Sequence, residues 1–187
     1  MKTLVRAALV AAIEQEDEGA NLGAVHRNRS RNFVECLATE FRRRYPDRDD
    51  VAVFSKHFVG NRQRHGLNEL MFDVAVCETR RVPSASGRAE LTFVSSLLVA
   101  IESELAANSR EALYDFSKLV MGRALTSLFI GPCSTEEEGY LAALGPAADC
   151  CAGTVLVALI PRPASWSDAG GVDVRLWRRM AGTWMTE

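Results

Sequence analysis

The sequence predicts an α/β protein, a mixed β-sheet flanked by helices, with elements in the order α-β-β-β-α-β-α-β. Three observations carry that expectation. Two strand-like runs, VAVFSKHFV and LNELMFDVAVCE, stand beside a third, Leu91 to Ile101, with only polar, turn-rich segments between them, which suggests an antiparallel meander. The later apolar runs, LTSLFIG and TVLVALIP, each follow a stretch of helical periodicity, the arrangement that joins parallel strands by crossovers. Finally, 187 residues with 48% hydrophobic and 25% charged content have the ordinary globular balance, enough for one core and a single domain over 1–187.

Taken in order, Thr3 to Glu16 reads as an amphipathic N-terminal helix. Arg6 interrupts its apolar stretch, and the acidic EQEDE stands where a secretory leader would have its cleavage region, which argues against a leader. A polar link from Asp17 to Asn32 leads to FVECLATEFRRRY, where Phe33, Leu37 and Phe41 recur at helical spacing and Pro46 acts as a stop. Asn32 and Glu35, three apart, read as a capping box. GNRQRHG is expected as the turn between the first two strands, and TRRVPSASGRAE as a polar loop before the third. Ser109 opens a helix through about Arg123, and Ser134 with Glu137 opens another in capping-box spacing. The extension 161–187 carries Trp177 and Trp184, which suit either a partner surface or packing on the core.

Charge and motifs narrow the function classes. Against 22 basic residues stand 24 acidic ones, a formal net charge of -2, so no global field draws the chain to nucleic acid or to an anionic membrane, and any anion must be held locally. Local candidates exist: Lys56, His57, Arg62, Arg64 and His65 in SKHFVGNRQRHG, and Arg42, Arg43 and Arg44 at a helix end. Cys36, Cys77, Cys133, Cys150 and Cys151 are odd in number and lack CxxC or zinc spacing, which favours a reduced, cytoplasmic location. No run approaches the roughly 18 apolar residues of a membrane span. His26, His57 and His65 have no metal-ligand spacing, SASG lacks a nucleophile elbow, and no GxxxxGKS phosphate loop is present; these absences argue against zinc, serine-hydrolase and nucleotide-driven chemistry.

The chemistry-bearing signal is acidic. The run Leu97-Leu98-Val99-Ala100-Ile101 reads as a strand buried on both faces, and Glu102 and Glu104 follow it directly. Residues two apart on a strand point the same way, about 6.6 Å from each other, so two ionised carboxylates would repel by roughly 3 kcal/mol at an effective dielectric of 20. Asp73 breaks the apolar LMF-D-VAV of the second strand, where an unpaired charge would be costly. Three acids on neighbouring strands suit a hard divalent cation, which takes oxygen ligands and commonly bridges to phosphate. On the helix from Phe33, Glu40 falls near 340° and borders the buried face, whereas Glu35 falls near 200° and points to solvent.

An acid in the first helix, Asp73 in the second strand and Glu102-Ser103-Glu104 closing the third, set in an α-β-β-β-α-β order, resemble the PD-(D/E)xK nuclease superfamily and its restriction-endonuclease-like fold. The resemblance covers about residues 31 to 160, and VAIESELAANSREALYDFSKL is similar to a group of uncharacterised bacterial proteins within that superfamily. It implies a Mg2+- or Mn2+-dependent nuclease acting on nucleic acid, with DNA favoured over RNA, and a homodimer by analogy. Asp73 and Glu102 would hold the metal with help from a backbone carbonyl at Ser103, and Glu40 would assist through a bound water. Glu104 stands where lysine is usual, so either Glu104 or Lys118, in the following helix, would orient or deprotonate the attacking water. Lys56, Arg62, Arg64 and His65 would grip phosphates. The second reading, from another class, is an inactive relative that keeps the fold as a binding or assembly module.

Overall fold

A computed structural model describes residues 1–15, 22–45, 50–67, 69–106, 108–166 and 172–187. Seven strands form one mixed sheet whose spatial order follows the chain: β1 Val51–Ser55, β2 Val74–Pro83, β3 Glu90–Ser103, β4 Thr126–Pro132, β5 Thr154–Ile160, β6 Arg175–Met180 and β7 Thr183–Thr186. The three central strands, β3, β4 and β5, are parallel neighbours, and the pairs on either side of them are antiparallel. Helices α4 Ser109–Gly122 and α5 Glu137–Asp149 supply the two parallel crossovers.

Alternation along the strands explains the layers. Val74, Val76, Val99, Ile101, Leu128 and Ile130 face one way, into a core shared with α1 Lys2–Ile13 and α2 Leu22–Arg44. Ala75, Cys77, Ala100, Phe129, Val157 and Leu159 face the other way, against α4 and α5. With both faces covered, the central strands are apolar throughout rather than alternating, which is why LLVAI reads as an unbroken run.

Several expectations need correction. The polar segment before Phe33 is not a link over its described length: α2 begins at Leu22, and Asn32 lies inside it, so Asn32 and Glu35 are no capping box. The segment holds no proline and is tethered at its side, Arg29 donating to the Pro163 carbonyl at 2.6 Å and Phe33 packing edge-on to Trp166. Residues 16–21, part of the expected link, and Pro46 lie outside the described residues. GNRQRHG is not a plain turn: α3 Val59–His65 forms there and ends at Gly66, whose left-handed φ of 79° closes the helix and returns its N–H to Arg62.

Half of TRRVPSASGRAE is strand, since β2 runs on to Pro83 and pairs Arg80, Arg81, Val82 and Pro83 with Phe93, Thr92, Leu91 and Glu90. Only Ser84 to Ala89 remain as a turn. At α5 the N-cap is Glu136 without a side-chain cap bond, so the expected Ser134–Glu137 box is absent. Glu137 is engaged elsewhere, by Arg175 and Trp177. The C-terminal extension adds the β6–β7 hairpin to the sheet. The hairpin's Trp177 and Trp184 pack on the α4/α5 core, their indole N–H groups donating to Glu137 at 2.8 Å and to the Leu141 carbonyl at 2.7 Å. All five cysteines are free thiols, and among the described residues no helix is long and apolar enough to cross a membrane.

Candidate functional site

Where β2 begins and β3 ends, antiparallel register brings two of the sequence-predicted acids together. Val74 lies opposite Ile101, so the preceding Asp73 meets Glu102 and Ser103. The Ser103 amide and hydroxyl both donate to Asp73 Oδ2, at 2.9 and 2.6 Å, and the Asp73 amide donates to Glu102 Oε1 at 3.3 Å. Glu102 continues the inward alternation of Ala100, so its carboxylate lies beneath α4 and the residue is only 1% exposed.

Helix α4 answers that buried charge. Asn108 caps it by accepting from the Arg110 amide at 3.0 Å, and its buried stripe of Ala112, Phe116 and Leu119 fixes the helix on the sheet. Lys118, beside that stripe, donates to Glu102 Oε2 at 2.9 Å and pairs with Asp115, one turn earlier, also at 2.9 Å. Glu102 and Asp115 therefore share the Lys118 ammonium, while Asp73, held by Ser103, feels its charge without touching it.

The electrostatics follow from that count. Burial pushes the Glu102 carboxyl up to about 7, the Asp73 charge adds to the rise, and Lys118 offsets only part of it. Asp73 is also raised, chiefly by burial and against the pull of its Ser103 hydrogen bonds. For Lys118 burial works against the charged form, yet the hydrogen bonds it donates to Asp115 and Glu102 outweigh it and hold the ammonium above the usual lysine value. Asp73 and Lys118 open onto a cavity of about 270 Å³ whose other walls include Arg31, Lys56 and His57.

Comparison with protein-family models, with curated proteins and with solved structures returns no match for this chain. What the site can do therefore rests on its own geometry.

The remaining sequence-predicted residues lie elsewhere. Glu104 does not stand beside Glu102. The strand ends at Ser103, and the Glu104 carboxylate turns back to accept from the Ala106 amide at 2.6 Å, lining a cleft of about 520 Å³ with His26, Arg27, Ser30 and Arg162. Glu40 is not brought to Asp73 either: it is ion-paired with Arg43 and lines a cavity of about 280 Å³ with Gln15, Asn32 and Cys36. Of the basic residues, Lys56 reaches the Asp73 cavity, whereas Arg64 and His65 line a separate cleft beside β1 with Arg42 and Phe58. His65 packs at 5.4 Å on Phe54, and burial, with Arg64 and Arg81 nearby, lowers its pKa.

Two acids escaped the sequence reading. Glu35, expected in solvent, accepts from the Ser55 hydroxyl at 3.0 Å and the His57 amide at 3.2 Å, tying α2 to the end of β1 that borders the Asp73 cavity. Asp115 had a legible signal, its i, i+3 spacing to Lys118 on an amphipathic helix.

The donor set fits magnesium in part. Mg2+ keeps several waters and needs only one or two carboxylates from the protein. Asp73 and Glu102 are such a pair, adjacent, oxygen-bearing and short of positive charge, and Oδ1 of Asp73 stands outside the Ser103 bonds. Among the described residues no group of three or more His, Cys, Asp or Glu side chains forms a metal cage, so the fit is to a water-rich ion on two carboxylates and not to an all-protein site.

Proposed function

We propose that the Asp73–Glu102–Lys118 centre hydrolyses phosphodiester bonds in nucleic acid, DNA in preference to RNA, with Mg2+ or Mn2+ held by Asp73 and Glu102. The observation that carries the reading is the charge arrangement: buried Glu102 and part-buried Asp73 stand side by side, the Lys118 ammonium on Glu102 is shared with Asp115, and Asp73 opens onto a cavity lined by Arg31, Lys56, His57 and Glu69. A static structural bridge would be balanced, because leaving buried charge uncompensated costs several kcal/mol. When bound, a divalent ion supplies stabilisation of charge on the phosphoryl oxygens.

The chain's own groups divide the remaining work. Arg31, Lys56 and His57 favour a phosphate in the cavity beside Asp73. Ser103 orients Asp73 through two donated hydrogen bonds. Lys118 remains an ammonium at neutral pH, so its part is to position Glu102 and to present positive charge to the substrate rather than to remove a proton. Glu102, buried beneath α4 and fixed by Lys118, would serve as a carboxylate ligand to the ion.

Cleavage of single- and double-stranded DNA and of RNA in Mg2+ or Mn2+ tests this. Asp73→Asn and Glu102→Gln are expected to reduce the rate by more than about 100-fold, since even the outer partners of a metal centre are worth about 10–100-fold. Glu104→Gln, pointing away from the centre, should leave the rate within about twofold. Folded protein that cuts nothing, or activity indifferent to Asp73 and Glu102, would remove the assignment.

A further inference from the structure

The β2–β3 hairpin outruns its neighbours. β1 pairs with β2 only from Val74 to Glu78, and β4 pairs with β3 only from Val99 to Ser103. Beyond those limits Arg80–Pro83 pair with Glu90–Phe93 alone, and the ribbon has two open edges. At about 3.3 Å per residue its paired tip extends roughly 15 Å past the sheet.

Its surface is unlike that of a solvated loop. Directly opposed residues share a face, so Arg80, Phe93, Val82 and Leu91 form one side of the ribbon, with Val82, Leu91 and Phe93 exposed at 43%, 53% and 48%. On the other side Arg81 pairs with Glu90 at 3.3 Å. The turn adds Arg88 between the hydroxyls of Ser84 and Ser86 and the strand start. Three arginines thus face one glutamate on this arm, in a chain whose total charge is negative. An apolar two-edged ribbon left bare is an aggregation hazard, so a partner is expected to cover it, and the arginine excess selects an anionic one.

The shape selects further. Two strands about 4.8 Å apart with their side chains match the roughly 12 Å major groove of B-DNA, which admits a two-stranded β-ribbon, whereas the deep, narrow major groove of A-form RNA does not. We propose that the tip of the β2–β3 ribbon enters the major groove of duplex DNA, with Arg80 and Arg88 meeting phosphates or guanine edges and Leu91 and Phe93 meeting thymine methyl groups.

This deepens the nucleic-acid reading above and rests on it. Basic residues lie near both places: Lys56 follows β1 at the Asp73 end, Arg62 and Arg64 lie on α3, and Arg64 and Arg81 both stand near His65. Asp73 and Arg80 are seven residues apart along extended chain, about 23 Å. At about 3.4 Å per base pair the groove contact therefore falls six to seven base pairs from the phosphate at the carboxylate centre.

The test is fluorescence anisotropy with a labelled 20-base-pair DNA duplex, and its RNA counterpart, in EDTA so that binding is read without cleavage. Arg80→Ala/Arg88→Ala should weaken DNA binding about tenfold and lower the slope of log K against log salt by about 2, since each phosphate contact contributes about 0.9. Phe93→Ser should weaken DNA binding without changing the slope, and RNA duplex should be weak and insensitive to all three changes. Unchanged affinity and slope, equal losses on RNA, or the same loss from Arg6→Ala on α1 would overturn the proposal. So would a concentration-dependent dimer in sedimentation that Phe93→Ser dissolves, for then a second copy covers the ribbon. Ribbon-dependent binding without hydrolysis in Mg2+ would instead tell against the catalytic reading alone.

Discussion

Two carboxylates sit in comparable settings at the rims of this sheet, and only one of them is left short of charge. Glu137, at the start of α5, has a side chain 13% exposed; one oxygen is ion-paired with Arg175 of β6 and the other accepts from the Trp177 indole at 2.8 Å. One acid meets one base and one neutral donor, and the arrangement fastens α5 to the C-terminal hairpin. Glu102, with a side chain 2% exposed, shares Lys118 with Asp115 and lies against Asp73. The first is balanced and explains itself as a structural tie. The second keeps negative charge that nothing in the fold requires, and that surplus separates a candidate site from a buried bridge.

The largest effect that would sharpen the contrast is expected from Lys118→Met. Removing the ammonium paired with Glu102 leaves that buried charge unpaired, and the cost should be about 3 kcal/mol at pH 8, as for other broken buried pairs. The pH dependence gives the sign. Glu102 has a folded pKa of about 7, above its unfolded value of 4.5, so between those values the folded state holds the extra proton. Its contribution is complete below about pH 4.5 and is lost as pH rises through 7, worth roughly 3 kcal/mol in all at about 1.4 kcal/mol per pKa unit. In Lys118→Met the same fall should extend to higher pH, and the variant should approach wild type near pH 5. Urea melts from pH 4.5 to 8.5 would read this directly; a penalty independent of pH would mean that Lys118 acts through packing alone.

Glu137→Gln sets the smaller reference. Glutamine keeps an acceptor for the Trp177 indole and loses only the ion pair with a partner whose side chain is 41% exposed, so the cost should be about 1 kcal/mol. If Glu137→Gln destabilised as strongly as Lys118→Met, charge balance would not be what distinguishes the two rims.

Much of the first centre was legible in the sequence because period-two alternation and strand burial are local. An acid standing directly before VAV and an acid ending LLVAI have few places to go once the strands pair, and Lys118 follows on the next helix. Glu104 misled because alternation holds only while the strand lasts: two residues later the chain turns and the carboxylate finds its own backbone. Glu35 misled in the opposite direction, since a helical wheel built on Phe33, Leu37 and Phe41 cannot know that the end of β1 closes over the helix flank. The ribbon escaped notice for a compositional reason. TRRVPSASGRAE is rich in loop formers, and only the cross-strand pairing of Arg80–Pro83 with Glu90–Phe93 makes it strand. Likewise the whole C-terminal hairpin turns on Ala181 and Gly182, both at positive φ, a tight-turn signature that MAGT does not advertise.

The smallest effect concerns Tyr140, which lies between the two rims on α5. Its ring packs against Gly131 of β4, where a Cβ would meet the hydroxyl at 2.7 Å, and the residue is 8% exposed. Burial, reinforced by the charge of Glu104, holds the phenol above its ordinary pKa, so it is neutral at any working pH. The hydroxyl has no hydrogen-bond partner among the described residues. A buried hydroxyl without a partner forfeits its hydration and gains nothing in return, so Tyr140→Phe should be neutral or stabilising by up to about 1 kcal/mol, with cleavage unchanged. Thermal and urea melts would decide it. A loss beyond about 1 kcal/mol, or a fall in cleavage, would mean that the hydroxyl reaches the Glu104 cleft in the working protein, and the separation drawn between Glu104 and the Asp73–Glu102 centre would then have to be redrawn through β4.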